Sequence, residues 1–302
     1  MNAKPTVIIV AGATASGKTA TAIELAQRFH TEILSADSRQ CFKELNIGVA
    51  KPAPDELLQA QHYFINSHSI FDEMNAGVYE KYALDVLNKI FLKNNIAIVV
   101  GGTGLYIKAL CEGVDEMPAI SAFTRNSIIK NYRERGLIWL QNEIKNKDAE
   151  FWETAEQQNP QRLMRALEFV EETGKSITTY RSGEKAQRNF SVLKIALDWQ
   201  RAALYDKINR RVDKMIDEGL INEVKELYPY RSLNALQTVG YSELFDYFDG
   251  KISLLQAIEK IKINTRHYAK RQLTWFRKDR NFHWFPPSEI EKIVSFIKSN
   301  IA

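Results

Sequence analysis

Residues 6–29 join a short apolar run, a glycine-containing loop and an amphipathic segment, and this order constrains the fold more than any other feature of the chain. The run TVIIV at 6–10 has the length of a buried strand. The loop GATASGKT at 12–19 matches the pattern G-x-x-x-x-G-K-S/T, which binds phosphate where it links a strand to a helix. The segment that follows has apolar residues on one helical stripe: Ala22, Leu25, Ala26 and Phe29. We expect a phosphate-binding loop (P-loop) in the first strand–helix unit of a parallel sheet.

Strand-like and helical segments continue to alternate after this unit. Residues 31–37 and 96–104 are predicted strands, and residues 78–93 form a predicted helix between them. Each strand ends in polar or glycine-rich residues, which would meet at one edge because parallel strands share their carboxyl ends. The sequence predicts an α/β fold, a P-loop NTPase-like parallel sheet flanked by helices.

A helical insertion interrupts this pattern. Residues 118–182 are charged and poor in β-branched runs, which predicts an insertion domain between two parts of a catalytic core, 1–117 and 183–302. The further elements expected are strands at 191–199 and 281–285, helices at 201–227, 240–248 and 253–280, and a capping box SEIE at 288–291 before a terminal helix.

Composition narrows the class of protein. The chain has 45% apolar and 26% charged residues and no apolar stretch near the ~20 residues that a membrane span needs. The apolar run near its start is too short for a secretory signal. Two cysteines, Cys41 and Cys111, make no disulfide framework. We expect a cytoplasmic protein without membrane contact, and nothing in the sequence requires more than a monomer.

The positive charge is concentrated in one stretch. The chain has a net charge of +4, but residues 251–285 hold nine Lys or Arg against two Asp or Glu. A local excess of this kind favours an anionic polymer as partner. The alternative is a solvated helix face that binds nothing.

The P-loop predicts a diphosphate site. Gly12 and Gly17 let the backbone curl so that several N–H groups face phosphate oxygens, and Lys18 adds a full positive charge. Thr19 would place its hydroxyl on a Mg²⁺ ion that bridges those oxygens. The predicted binding residues are Gly12, Ala13, Thr14, Ala15, Ser16, Gly17, Lys18 and Thr19.

Nucleotide hydrolysis is disfavoured. A P-loop hydrolase usually has an acidic residue at the end of another apolar strand, where it holds the metal. Here the strand at 96–104 ends in glycines and Thr103, which leaves a small-molecule kinase or a group transferase. Asp37, at the end of the second strand, could deprotonate an acceptor nucleophile, support a metal ligand or cap the next turn.

Six segments together resemble the tRNA dimethylallyltransferases, also called tRNA isopentenyltransferases. The matching segments lie at 12–19, 32–52, 99–113, 159–168, 239–241 and 265–279. The resemblance implies transfer of the dimethylallyl group from dimethylallyl diphosphate, with Mg²⁺, to N6 of the adenine on the 3′ side of the tRNA anticodon. In that reaction diphosphate is the leaving group, so no acid is needed to order a water molecule.

The resemblance also implies residue roles. Its catalytic residues are Asp37, Lys18, Thr19 and Thr103. Its tRNA contacts are Asp37, Ser38, Arg39, Gln40, Thr103, Arg125, Gln161, Arg162, Leu163, Met164 and Arg165.

Two patterns add to these roles independently of the resemblance. In the basic segment, a helix would align Lys262, Arg266, Lys270 and Arg277 in one stripe for the RNA backbone. The nearby aromatic residues are predicted mainly as core: Trp275, Phe276, Phe282 and Trp284.

Three positions depart from the family pattern, and three alternatives stay open. Val49 replaces a common Thr, Asn66 a frequent acid, and Gln237 an Arg that some members have. The alternatives are a prenyltransferase acting on free adenine nucleotides, a P-loop nucleoside or metabolite kinase, and a non-catalytic RNA-binding protein.

Overall fold

A computed structural model describes residues 4–301 and divides them into two compact units. One unit comprises the described residues up to Gly113 together with those from Ala186 onward, and the other comprises Val114–Lys185. The predicted insertion, 118–182, is slightly shorter than this second unit. The reason is that Ala186 N donates a hydrogen bond to Glu112 O (2.8 Å), which brings the two connecting segments together within the larger unit.

The larger unit contains a six-stranded sheet, and every pairing in it is parallel. The strands are β1 (Thr6–Gly12), β2 (Ile33–Ser35), β3 (His62–Tyr63), β4 (Ile96–Gly101), β5 (Ser191–Leu197) and β6 (Phe282–Phe285). Their order across the sheet is β3-β2-β4-β1-β5-β6. The predicted α/β fold is confirmed, with the P-loop strand near the middle of the sheet.

The described residues form these α-helices: α1 (Lys18–Arg28), α2 (Pro54–Gln59), α3 (Ala76–Phe91), α4 (Gly104–Glu112), α5 (Ala122–Lys147), α6 (Ala149–Thr154), α7 (Pro160–Thr173), α8 (Arg201–Asp217), α9 (Leu220–Leu227), α10 (Tyr241–Phe248), α11 (Leu254–Arg277) and α12 (Ile290–Asn300). None of them is long and apolar enough to cross a lipid bilayer.

Both faces of the sheet are covered, as parallel sheets require. Along β1, Val7 and Ile9 join one apolar core with α3, α4 and α9–α11. The alternate residues Ile8 and Val10 join a second core with α1 and α12. All four side chains are fully buried, so β1 fixes the loop that follows it in a rigid setting.

The structure corrects three details of the predicted elements. The helix expected at 201–227 is broken by Gly219, whose φ of 102° ends α8 and allows α9 to begin. The short strand β3 was not predicted. The SEIE capping box does not form: Glu289 N bonds Pro286 O (3.0 Å) in a turn, and α12 begins at Ile290 without a side-chain cap.

The smaller unit has its own core, built from α5, α6 and α7. Its buried apolar residues include Leu140, Ile144, Leu163 and Phe169. Gly136, with a φ of 75°, interrupts the helical geometry inside α5. The unit is therefore a helical domain with an independent apolar centre.

Buried Tyr241 fixes the loop at 46–51. The carboxylate of Glu223 accepts hydrogen bonds from Ile47 N (2.7 Å), Gly48 N (3.1 Å) and the Tyr241 hydroxyl. The Tyr241 ring packs so closely that a Cβ on Gly48 would lie 2.6 Å from it. These contacts explain Tyr241, the last residue of the VGY segment at 239–241, as a structural support for this loop.

Gly48→Ala is expected to lower the free energy of unfolding by about 1–3 kcal/mol, because the added methyl group would overlap a ring that is fully buried. Urea denaturation measures the change. An unfolding midpoint equal to that of the wild type would contradict this account of the loop.

Candidate active site

The carboxyl ends of β1, β2 and β4 bring three loops together at one edge of the sheet. Ala36 N donates to Val100 O (2.7 Å), and Thr103 N donates to Ala36 O (3.2 Å). Gly101 permits this approach, because a Cβ there would lie 2.2 Å from Ala36 O. The P-loop, the turn at 37–40 and the turn at 101–104 therefore share this edge, as the sequence predicted.

The P-loop has the backbone geometry of an anion cradle. Gly17 caps α1 with a φ of 88°, and Gly12 has a φ of 152°. Lys18 Nζ donates to Ala13 O (2.6 Å), which holds the ammonium group against the loop. The Ser16 hydroxyl is buried and has no hydrogen-bond partner among residues 4–301, as expected of a donor that serves a ligand.

Lys18 lies in an enclosed environment with two other charges. Enclosure lowers the pKa of Lys18 to about 8, against an opposing effect of the Asp37 carboxylate, and the Arg211 guanidinium lowers it further. Enclosure also lowers the pKa of Arg211, while Asp37 raises it. A lysine, an arginine and a carboxylate thus interact electrostatically at the loop, a suitable setting for an anionic ligand.

Arg211 is a candidate site residue that the sequence reasoning missed. It lies on α8 among the buried residues Leu204, Ile208 and Val212, and its Nη2 is 3.5 Å from Ala50 O. An arginine next to an apolar helical stripe was the available signal, since buried charges are usually paired or functional.

The Asp37 carboxylate both shapes its turn and retains an accepting oxygen. Its Oδ1 accepts hydrogen bonds from Arg39 N (2.9 Å) and Gln40 N (3.3 Å). The capping role considered from the sequence is therefore present. Within residues 4–301 both hydrogen bonds fall on Oδ1, so Oδ2 is left to accept a proton.

Thr103 lies beside the turn that carries Asp37. Its Oγ1 accepts a hydrogen bond from Ser38 N (3.0 Å), and its hydroxyl also interacts with that of Tyr268 on α11. Burial raises the pKa of Tyr268 to about 12, with a further contribution from the Asp37 charge. Tyr268 was not among the predicted site residues, although the matching segment at 265–279 contains it.

The three departures from the family pattern have local explanations. Gln40 Nε2 bonds the carbonyl oxygens of Val49 (3.3 Å) and Ala50 (2.9 Å), so position 49 contributes its backbone here. The Asn66 amide oxygen accepts a hydrogen bond from Lys51, as a carboxylate could. Gln237 is exposed and donates its amide to the Arg231 carbonyl.

The basic helix α11 differs from the predicted stripe. Lys262 is paired with Asp213 (2.7 Å) and Glu259 (3.3 Å), so its charge is compensated. Lys270, from the same predicted stripe, instead borders an open cavity of about 430 Å³. The residues that line this cavity form the basic face of α11: His267, Lys270, Arg271, Thr274, Trp275 and Lys278.

The aromatic predictions are partly confirmed. Phe276 and Phe282 are buried. Trp284 is partly buried and packs against the core that contains Val7 and Ile9. Trp275 is 42% exposed, so its assignment to the core was wrong. Its indole lies over Gly104, where a Cβ would be 2.2 Å from the ring, and the rest of the ring faces outward.

In the helical unit, a buried carboxylate holds two arginines. Glu168 is 6% exposed, and it lies 2.8 Å from Arg165 Nη1 and 3.6 Å from Arg125 Nε. Gln161 and Arg162 are exposed, and Arg162 also pairs with Glu156 (3.0 Å).

Two of the predicted contacts in this unit are less accessible. Leu163 is fully buried in the helical core, which corrects its prediction as an RNA contact, and Met164 is half-buried.

The fold and the site define the class: a P-loop α/β protein with a carboxylate beside the loop, the arrangement of kinases and group transferases. A family model described as IPP transferase matches residues 40–279, and the chain belongs to this family.

Its relatives match over nearly their whole length. The chain is 49% identical to a tRNA dimethylallyltransferase of Christiangramia forsetii over 97% of this chain and 98% of the relative. It is 42% identical to tRNA dimethylallyltransferase 1 of Bacteroides thetaiotaomicron over 97% and 96%, respectively.

Solved structures agree with this assignment. The full-length tRNA isopentenylpyrophosphate transferase of Bacillus halodurans has a TM-score of 0.73 and 32% identity, covering 99% of this chain and 97% of its own. A eukaryotic dimethylallyltransferase acting on tRNA has a TM-score of 0.73 and 27% identity, covering 90% of this chain and 69% of its own.

Proposed function

We propose that this protein is a prenyltransferase that moves the dimethylallyl group of dimethylallyl diphosphate to N6 of the adenine on the 3′ side of the tRNA anticodon. The observation that carries the proposal is the edge of the sheet where the P-loop, the turn of Asp37 and the turn of Thr103 meet, with the Lys18 ammonium group held against the loop at Ala13 O (2.6 Å). Family membership and the relatives named above support this substrate pair.

The proposed donor site stabilises the leaving group. Negative charge grows on diphosphate as its bond to the allylic carbon breaks, while that carbon gains positive charge. Lys18, Arg211 and the loop N–H groups offset the negative charge in an enclosed setting, where preorganised donors act strongly. The buried Ser16 hydroxyl provides a further donor. The remaining loop residues from Gly12 to Thr19 shape this cradle.

A magnesium ion fits the donor set of this loop. Residues 4–301 contain no cluster of three or more His, Cys, Asp or Glu that could hold a metal alone. Mg²⁺ commonly keeps water and takes substrate phosphate oxygens, so Thr19 could provide the hydroxyl ligand. When bound, the ion would neutralise diphosphate charge.

Asp37 is the proposed general base. The exocyclic amine of adenine is a poor nucleophile because its lone pair is delocalised into the ring. As the amine attacks the allylic carbon, its proton passes to Asp37. Thr103 and Ser38, whose groups are hydrogen-bonded to each other, are proposed to hold the adenine beside it.

Two surfaces are proposed to bind the tRNA anticodon stem-loop. One is the basic face of α11 with the turn that carries Arg39 and Gln40. The other is the exposed part of the helical unit that carries Arg125, Gln161, Arg162 and Arg165. A tRNA substrate supports a cytoplasmic location, which we propose for this protein together with a monomer as its working state.

Lys270→Gln is expected to weaken tRNA binding several-fold and to make its salt dependence shallower by about one phosphate contact, because Lys270 is exposed on the basic face. Filter binding at several salt concentrations measures both effects. Lys262→Gln is the matched control, since Asp213 and Glu259 already compensate that charge. Equal effects of the two variants would remove the basic face from the proposal.

The transfer itself is tested with dimethylallyl diphosphate, Mg²⁺ and unmodified tRNA, followed by mass spectrometry of the nucleosides. We expect N6-dimethylallyladenosine from tRNA. Product formed from AMP in preference to tRNA would indicate the nucleotide prenyltransferase, and phosphate transfer from ATP would indicate a kinase. Binding of tRNA without product would indicate an RNA-binding protein.

A further inference from the structure

One buried amide on α11 connects two of the loops at the active-site edge. Gln272 is 6% exposed. Its Oε1 accepts a hydrogen bond from Thr14 N in the P-loop (2.8 Å), and its Nε2 donates one to Gly102 O in the turn before Thr103 (3.0 Å). The same planar amide group therefore connects the loop proposed to bind dimethylallyl diphosphate with the turn proposed to hold the adenine.

The backbone around Gln272 is fitted to this side chain. A Cβ on Gly102 would lie 2.1 Å from Gln272 Nε2, so any larger residue at this position would push the amide out of its place. One helical turn earlier, the Tyr268 hydroxyl interacts with Thr103. Positions four apart share a helix face, so α11 contacts the Thr103 turn at two adjacent points.

The amide is chemically specific at this position. It faces one N–H donor and one carbonyl acceptor, and a single Gln side chain satisfies both. Methionine has a similar length, but it cannot donate to the carbonyl and its sulfur is only a weak acceptor for the N–H. A buried polar group left unpaired is costly. The two loops would then no longer be held in one relative position.

We propose that Gln272 is a positioning residue that sets the distance between the diphosphate held by the P-loop and the adenine held at Thr103. The inference rests on the transfer reaction proposed above. In-line attack requires the allylic carbon and the amine to be held at a defined separation, and a misplacement of about 1 Å can lower a rate 10²-fold.

Gln272→Met is the direct test, by steady-state kinetics with each substrate varied in turn. We expect kcat to fall about 10- to 100-fold and the KM for dimethylallyl diphosphate to rise, while the dissociation constant for tRNA stays within about twofold. Gln27→Met, at an exposed glutamine on α1, is the matched control. A Gln272→Met enzyme with kcat and both KM values within about twofold of the wild type overturns the proposal, whatever its melting temperature.

A second pair of variants tests the connection that Gln272 makes between the P-loop and the turn at 101–104, this time from the side of Gly102. Gly102→Ala should displace the Gln272 amide and lower kcat in the same way, whereas Gly102→Ala combined with Gln272→Ala should be no worse than Gln272→Ala alone. Fully additive losses would show that the two positions act independently and would overturn the proposal.

Calorimetry with dimethylallyl diphosphate separates this inference from the reaction on which it rests. A wild type that forms no product would defeat the proposed function. Weaker diphosphate binding by Gln272→Met would still support the role of Gln272 in positioning the P-loop, and unchanged binding would contradict that role.

Discussion

Asp37→Asn is expected to lower the rate of dimethylallyl transfer by about 10²–10⁴-fold, because an amide cannot take the proton of the attacking amine. Asparagine is the informative replacement since its oxygen can still accept the hydrogen bonds from Arg39 N and Gln40 N. The turn at 37–40 should stay intact, and tRNA binding should change little.

A single-turnover assay with enzyme in excess over tRNA measures the chemical step directly. Asp37→Ala provides the comparison, because it removes both the base and the support of the turn, and it should weaken tRNA binding in addition. An Asp37→Asn enzyme with a normal single-turnover rate would exclude Asp37 as the base.

Lys18→Met is expected to lower kcat/KM for dimethylallyl diphosphate by about 10²–10³-fold, because the variant lacks the ammonium group that offsets charge on the leaving diphosphate. Methionine keeps much of the length and apolar volume of the side chain. Steady-state kinetics at saturating tRNA measures the change, and tRNA affinity, measured separately, should be unaffected. A change of less than about tenfold would mean that groups other than Lys18 offset the charge on the leaving diphosphate.

The same lysine predicts a dependence of binding on pH. The enclosed Lys18 has a pKa of about 8, below that of an exposed lysine, so the free enzyme loses this charge as the pH rises through that value. Affinity for dimethylallyl diphosphate should be full below the pKa and should decline above it. Calorimetry across this range should show the decline in the wild type and its absence in Lys18→Met.

The parts of the site that lie on one local segment could be predicted from the sequence. The P-loop, the turn of Asp37 and the turn of Thr103 each follow a strand whose apolar run is recognisable alone. A parallel sheet brings the carboxyl ends of those strands to one edge, so the proximity of the three loops followed from the predicted topology.

The parts supplied by distant helices could not be predicted in this way. Arg211 on α8 and both Tyr268 and Gln272 on α11 reach the loops through tertiary packing. In the basic segment, spacing placed Lys262 and Lys270 in one stripe, but Asp213 on another helix compensates only Lys262. Periodicity identifies a face of a helix, whereas partners on other elements decide what that face can bind.

The carboxylate of Glu168 has a thermodynamic consequence for the RNA binding that is proposed for the helical unit. An unrestrained arginine gives up about 2 kcal/mol of side-chain conformational freedom when a phosphate immobilises it. Arg165 is already held by Glu168 at 2.8 Å and lies with its guanidinium carbon 4.6 Å from the centroid of the Phe169 ring. Much of that entropic cost is therefore met when the domain folds, and a smaller share would remain for the proposed contact of Arg165 with tRNA.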